Sequence, residues 1–335
     1  MSIMFRVLGG PGHDNALFVV VSTGQRDSRL LFDCGDGCPH SLTTGDILGI
    51  EHLFFSHFHM DHISGFDLFF RLNFDRDNPP VSVWAPPGGT EILHHRFRGF
   101  GWNLVDHKQS GTWDVHEIER EQVRTSRFHA KEAFRTAHPL EVKPREPALL
   151  SGNGFIVEAH QLDHGTASMG YIMRELPRVN VDTTKMAAKG FAAGPWAKRL
   201  RGPAAAPDEM VRVGTEDYPL AALQAELLVS TPGESIAYLT DFRLNAATAD
   251  YLAPHLQGVT TVVCESQYRH EDVALAEAVM HSTATEVATL AARAGVGKLI
   301  LFHLSPRYLP VGCAELLEEA RAIFPNTSFP DGWEL

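Results

Sequence analysis

Short apolar runs recur along the chain, each closed by glycine, proline or charge. Phe5-Arg6-Val7-Leu8 stops at Gly9-Gly10-Pro11-Gly12. Ala16 to Ser22 is continuously apolar up to its last residue, as in a strand buried on both faces. Arg29 to Asp33 closes at Cys34-Gly35-Asp36-Gly37, Glu51 to Ser56 follows, and Val81 to Trp84 ends before Pro86-Pro87-Gly88-Gly89. Gly154 to His160 and Tyr171 to Arg174 read as further strands. The stretch 89–147 shows no clear period and reads as helix plus irregular excursion. In the second half, Ser235 to Asp241, Gly258 to Glu265 and Lys298 to His303 are strands ending on a candidate donor side chain. Val287, Leu290 and Ala291 recur at helical spacing within Thr283 to Ala294, and Gly295 suits its C-terminal cap. A last helix runs from Cys313 to Phe324 and stops at Pro325. Strands first, then strands and helices in alternation, predict an α/β fold with two sheets between helix layers.

Composition narrows the class. The chain has 335 residues, 44% of them hydrophobic, so a sizeable core is available. A net charge of −12 disfavours nonspecific whole-surface binding to nucleic acid or anionic membrane, but leaves room for a local basic patch. Cys34, Cys38, Cys264 and Cys313 form no disulfide-dense framework, which predicts a reducing, cytoplasmic setting. Cys34 and Cys38 lack the second pair that a four-cysteine zinc site needs, so they read as a core thiol and a loop thiol. The N-terminus reads as a strand start rather than a signal peptide. No run approaches the ~18 apolar residues of a membrane span, so no membrane partner is expected.

The chemistry concentrates near position 60. His57-Phe58-His59-Met60-Asp61-His62 packs three imidazoles and a carboxylate into six residues, just after the apolar run Leu53-Phe54-Phe55. Zinc and similar metals favour imidazole nitrogen and carboxylate oxygen, and a rigid strand end holds such donors in place. His164, Asp241 and His303 each follow an apolar or β-like stretch. Taken singly, a histidine is usually a surface or core residue and a strand-end aspartate a cap. Aligned sheets would bring all seven side chains to one rim, as many as two metals sharing a carboxylate would use.

These stretches resemble the metallo-β-lactamase fold superfamily, and within it the ribonuclease Z branch of tRNA 3′-processing endonucleases. Leu31 to Gly37, Ser56 to Gly65, Leu162-Asp163-His164-Gly165 and Tyr238-Leu239-Thr240-Asp241 are similar to its first four motifs. His281-Ser282-Thr283-Ala284 and His303-Leu304-Ser305-Pro306-Arg307-Tyr308 resemble elements more specific to the branch. The resemblance implies an αββα sandwich of two mixed β-sheets with helices on the outer faces, as a single hydrolase domain over 1–335 with an inserted arm near 175–230. It implies two zinc ions per chain, with manganese or iron as substitutes. His57, His59 and His164 would hold one, Asp61, His62 and His303 the other, and Asp241 would bridge them. Asp61 would orient or deprotonate the attacking water, and His281 would give a proton to the leaving oxygen. His281 as a mere helix cap is the bland alternative. Glu265, from its position, would hold the His281 ring. The resemblance further implies an RNA substrate, precursor tRNA 3′ ends included, and a homodimer.

Two segments bear on the substrate. Thr183 to Pro207 carries Lys185, Lys189, Lys198, Arg199 and Arg201 with no acidic residue, and Lys198, Arg199 and Arg201, with Arg307, are candidate RNA contacts. A solvated, flexible Ala/Gly/Pro loop is the alternative reading of that stretch. The opening loop Gly9 to Ala16 is shorter than in the family and lacks its Pro-Thr and Arg-Asn element. That departure keeps open a small-molecule metallo-hydrolase on the same site, acting on a cyclic nucleotide or other phosphodiester, a sulfate ester or a lactone.

Overall fold

The computed structural model describes residues 2–24, 26–202, 205–206, 208–309 and 312–333. The first sheet has eight strands in chain order: β1 (Ser2–Gly9), β2 (Asn15–Ser22), β3 (Asp27–Phe32), β4 (Ile50–Phe54), β5 (Val81–Ala85), β6 (Thr112–Ile118), β7 (Gln122–His129) and β8 (His138–Pro144). It is mixed. β3 to β6 are parallel neighbours, and antiparallel strands extend the sheet on both sides.

The second sheet begins with β9 (Leu150–Ser151), β10 (Phe155–Asp163) and β11 (Ala167–Glu175). The chain then makes a separate compact unit, Glu175–Gly233, before returning. That unit contains β12 (Arg178–Val181), β13 (Met210–Val213), β14 (Glu216–Pro219) and β15 (Leu228–Thr231), with helices Thr183–Ala188, Trp196–Leu200 and Leu220–Leu227. β12 pairs with β15 and β13 with β14. It has its own core of Met186, Trp196, Leu200, Val211, Leu223 and Leu227. The second sheet resumes with β16 (Ser235–Leu239), β17 (Thr261–Glu265), β18 (Lys298–Phe302) and β19 (Thr327–Ser328), parallel to one another, while β11 runs antiparallel to β16.

Period-2 alternation explains the layering. Leu17, Val19, Phe32, Phe54 and Trp84 of the first sheet meet Val157, Tyr171, Tyr238, Val263 and Phe302 of the second in one core. Phe54 stacks on Phe32 at 4.8 Å and on Trp84 at 5.9 Å between ring centroids, well inside the range of favourable aromatic pairs. The opposite face of the first sheet buries Phe55, Phe66, Phe70, Phe97 and Trp113 with helices Phe66–Asn73 and Gly89–Arg98. The opposite face of the second buries Leu252, Val287, Leu290 and Leu316 from helices Ala246–Leu256, Ala284–Ala294 and Cys313–Ile323. The result is the αββα sandwich of two mixed sheets.

One expectation is corrected. The segment 112–144 is not an irregular excursion but three strands. Polar residues at buried positions hide the alternation: β7 buries Thr125 and Ser126, Asp114 is buried against Arg127 in a two-pronged pair with both bonds at 2.6 Å, and β8 is almost wholly exposed. Of the two readings left open for the inserted segment, Glu175–Gly233 is a folded unit and not a flexible loop.

His52 and His116 flank Trp84, whose indole N–H donates to His52 Nδ1 at 3.2 Å, while the His116 ring stacks on Trp84 at 4.1 Å. Burial pushes both imidazoles down to about 4 from an ordinary 6.5. The unfolded chain therefore binds more protons than the folded one between these values, so their contribution to stability is complete above pH 6.5 and is lost as pH falls through 4. Urea unfolding of the His52→Gln/His116→Gln variant should show a flatter acid limb than the parent. An identical limb would mean that the two rings do not titrate there.

Candidate metal centre

The site grows from strand ends. β3 runs into Asp33, β16 into Asp241 and β18 into His303, with φ of 59°, 47° and 55°. Such left-handed backbone is uncommon outside glycine, and clusters where structure holds functional groups. β4 runs through Ser56 and His57 into a short helix, Met60–Ile63. Close backbone approach seats that helix: a Cβ on Gly35 would lie 2.5 Å from the Asp61 carbonyl oxygen, and one on Gly65 would lie 2.2 Å from that of Gly35.

The seven expected donors lie together. His57, His59, His164 and Asp241 offer ligand atoms within 4.8 Å of one another, and so do Asp61, His62, Asp241 and His303. Asp241 is common to both groups. It is 2% exposed, and its Oδ2 lies 3.6 Å from His57 Nε2 and 3.5 Å from His164 Nε2. Its Oδ1 lies 3.4 Å from His62 Nε2 and 3.5 Å from His303 Nε2. Asp61 Oδ2 lies 3.4 Å from both His62 Nε2 and His303 Nε2.

These separations fit metal ions. Donors about 2.0–2.1 Å from a tetrahedral centre sit roughly 3.3–3.5 Å apart. His57 Nε2 and His62 Nε2 are buried and make no hydrogen bond among the described residues, an arrangement that is costly unless a cation lies between them and the carboxylates. On four of the five histidines the opposite nitrogen is engaged. His62 Nδ1 meets Asp33 at 2.8 Å, His164 Nδ1 meets the Met280 carbonyl at 2.8 Å, His57 Nδ1 meets Ser56 Oγ at 3.0 Å, and His303 Nδ1 lies 3.3 Å from the Gln267 amide. Outer contacts of this kind fix the ring and turn Nε2 to the centre. Asp33 is buried and also accepts from the Ser56 hydroxyl at 2.7 Å and the Tyr238 hydroxyl at 2.9 Å. Sequence reasoning gave it no role, although it ends an apolar strand just as Asp241 does.

The local field is strongly polarised. Burial, then the His62 charge, pushes His57 down to about 2. Burial alone would raise Asp241, but His303 and His62 hold it well below the usual carboxylate range. Burial would likewise raise Asp61, but His303 and His62, each with Nε2 3.4 Å from its Oδ2, hold it low.

His281 lies beside this cluster, 4.7 Å from the His164 ring and 5.6 Å from that of His303. It does not cap the following helix. Thr283 does, in a capping box with Glu286. His281 Nδ1 meets Glu265 Oε2 at 2.9 Å; burial lowers its pKa, but the charge and hydrogen bond of Glu265, with the charges of Asp241 and Asp61, together raise it overall. Arg307 lies over the Tyr268 ring at 5.7 Å and 3.6 Å from Asp272, and Tyr268 in turn is 6.2 Å from the His281 ring. Within the arm, Arg199 pairs with Glu209 at 2.6 Å and Lys189 with Glu226 at 2.8 Å, whereas Lys198 and Arg201 are exposed. Cys34 and Cys38 are buried free thiols outside both donor groups.

A family model described as "Anti-Pycsar protein Apyc1" matches residues 13–162, less than half of the chain. Ribonuclease Z of Deinococcus radiodurans is 43% identical over 327 residues, 98% of this chain and 97% of that protein. Ribonuclease Z of Methanosarcina acetivorans is 28% identical over 315 residues, 91% of this chain and 87% of that one. Among solved structures, the metallo-β-lactamase fold protein YhfI of Bacillus subtilis superposes with a TM-score of 0.58 at 13% identity, covering 98% of this chain and 96% of that one. The short form of human tRNase Z superposes with a TM-score of 0.51 at 16% identity, covering 92% and 94%.

Fold and donor clusters together define a metal-dependent hydrolase of the metallo-β-lactamase fold. Within that superfamily, the near-full-length identity to the Deinococcus protein is decisive. The chain belongs to the ribonuclease Z family.

Asp33 touches no proposed metal, yet it orients His62. Asp33→Asn should weaken metal binding by ~10–100-fold in a chelator competition while leaving all seven donors in place. Unchanged affinity would remove Asp33 from the centre.

Proposed function

We propose that the chain is a dinuclear zinc endoribonuclease that cleaves precursor tRNA at its 3′ end. The observation that carries this is the pair of donor groups sharing Asp241 beside the His281–Glu265 pair, in a chain 43% identical to a ribonuclease Z. His57, His59 and His164 would hold one ion, Asp61, His62 and His303 the other, with Asp241 between them. Zinc suits this nitrogen-rich set, and manganese or iron would also be accepted. Bound there, such ions would lower the pKa of water towards neutrality and would stabilise charge on the attacking and leaving oxygens of a phosphodiester.

The remaining steps belong to side chains. Asp61, kept ionised by its histidine neighbours, orients the attacking water and accepts its proton. Glu265 holds His281 through Nδ1 and favours its charged form, so His281 carries a proton for the leaving ribose oxygen. Arg307, close to this histidine through Tyr268, is proposed to contact a backbone phosphate. Residues 175–233 form the arm inserted in one hydrolase domain, with Lys198, Arg199 and Arg201 as candidate RNA contacts. The family resemblance supports a homodimer. The four free, buried cysteines support a reducing, cytoplasmic setting, and among the described residues no helix is long and apolar enough to cross a membrane.

A second reading, a hydrolase of small phosphodiesters, sulfate esters or lactones, draws on two observations. The opening loop departs from the family, and the arm's seven basic residues are matched by seven acidic ones, with Arg199 and Lys189 already paired. The two readings separate on substrate, tested with zinc- or manganese-loaded protein on precursor tRNA, bis-p-nitrophenyl phosphate and simple lactones.

Protein purified without chelator should hold about two transition metals per chain by elemental analysis, because seven donors exceed what one tetrahedral ion uses. Less than half an ion after reconstitution would contradict the dinuclear reading. His281→Ala should keep its metal and lose ~10²–10⁴ in kcat on RNA. Bis-p-nitrophenyl phosphate, whose leaving group needs no proton, should be affected much less; equal losses would make His281 structural.

Lys198→Ala/Arg201→Ala should weaken RNA processing and leave the chromogenic diester unaffected. The log–log salt slope should become shallower by ~0.7–0.9 for each phosphate that the variant no longer neutralises. Undiminished processing of precursor tRNA would leave the arm without a role in grip.

A further inference from the structure

We infer that Arg243 is a positioning residue, locking the His281 turn against the rim that carries Asp241 and His164. The inference rests on the proton-donor role proposed above for His281.

Arg243 follows Asp241 by two residues and is only 8% exposed, unusual for an arginine. Its backbone N–H donates to the Asp163 carbonyl at 2.9 Å, which ties the Asp241 turn to the residue preceding His164. Its guanidinium reaches the other way. Nη1 donates to the His281 carbonyl at 3.2 Å and to Glu286 Oε2 at 2.7 Å, and Nη2 donates to Glu286 Oε1 at 2.5 Å and to Glu277 at 3.1 Å. A planar fork of this shape matches a carboxylate on two points and still has a donor for the carbonyl.

Glu286 is a fixed anchor rather than a surface partner. It accepts from the Thr283 backbone N–H at 3.0 Å, in the capping box of helix Ala284–Ala294. Arg243 therefore joins the strand-end rim to the first turn of that helix, with His281 between them. Besides the bond of His164 Nδ1 to the Met280 carbonyl at 2.8 Å, two parallel ties run alongside. Ser282 Oγ donates to the Phe242 carbonyl at 2.7 Å and accepts from the Leu244 N–H at 3.1 Å, and Glu265 accepts from the Phe242 N–H at 2.6 Å. Neither of these reaches the His281 carbonyl. Met280, just before it, has φ of 63°, a strained conformation that surrounding contacts must hold. Without the arginine, the turn 279–283 keeps its fold but loses the bond that sets the height of His281 over the metal rim. A misplacement of about 1 Å costs roughly 10²-fold in rate where alignment matters.

The test uses Arg243→Met/Glu286→Gln, which removes the fork without leaving a carboxylate buried alone and keeps an oxygen for the helix cap. Amide hydrogen exchange at His281, Ser282 and Thr283 should become several-fold faster. The kcat on precursor tRNA should fall by ~10–100-fold at unchanged KM and metal content. Hydrolysis of bis-p-nitrophenyl phosphate should stay within about twofold, since proton donation does not limit it. Arg243→Lys keeps the charge facing Glu286 but not the fork; it should show the same pattern and serves if the double variant fails to fold. Unchanged exchange, or equal losses on the two substrates, would overturn the inference. If the parent cleaves neither substrate, the functional reading fails, and exchange alone then decides: faster exchange upholds the brace and unchanged exchange overturns it.

Discussion

The structure turns on one buried carboxylate. Asp241 faces four imidazole nitrogens at 3.4–3.6 Å from the floor of a rim built by two sheets. Two of those nitrogens make no hydrogen bond among the described residues. Burying so many polar atoms is unfavourable unless positive charge lies among them, so the folded chain presents a cavity shaped for cations. Strand ends supply the rigidity that such a cavity needs. Asp241 and His303 follow β16 and β18, the strands on either side of β17 in the second sheet, while His57 leaves the first, and the shared core of Phe32, Phe54, Tyr171 and Tyr238 fixes one sheet against the other.

Around the carboxylate, outer contacts decide which way each ring points. Asp33 is central on one side: it touches Ser56, His62 and Tyr238, and so ties both sheets to one histidine. Glu265 is its counterpart on the other side, meeting His281 and the backbone after Asp241. Arg243 extends that second bracket to the helix behind it. Most bonds that hold His281 differ from those that turn the proposed metal donors, with the His164–Met280 contact as a link between the two sets, so substitutions around His281 test the fate of the leaving group apart from metal content.

Much of this was legible in the sequence, for a physical reason. Metal donors must be dense and must sit on rigid elements, so His57 to His62 stands out locally, and His164, Asp241 and His303 stand out as polar ends of apolar stretches. The strands β6 to β8 were not legible, because β7 fills buried positions with Thr125 and Ser126 and β8 buries almost no residue, so no run of apolar positions marks them. The sequence left 175–230 open between an arm and a flexible loop because its core is sparse: Trp196, Leu200 and Leu223 are scattered among alanine, glycine and proline. Asp33 and Arg243 act through partners far along the chain, at separations of 23 to 205 and of 34 to 43 residues, and no local pattern encodes such pairings.

The proposed dinuclear centre requires Asp241 to be shared between two ions. Anomalous diffraction at the zinc edge, from crystals of zinc-loaded protein, addresses that sharing without intermediaries. Two peaks per chain are expected, one among His57, His59 and His164 and one among Asp61, His62 and His303, each bonded to a different oxygen of Asp241. A single peak, or two peaks of which one does not touch Asp241, would contradict it.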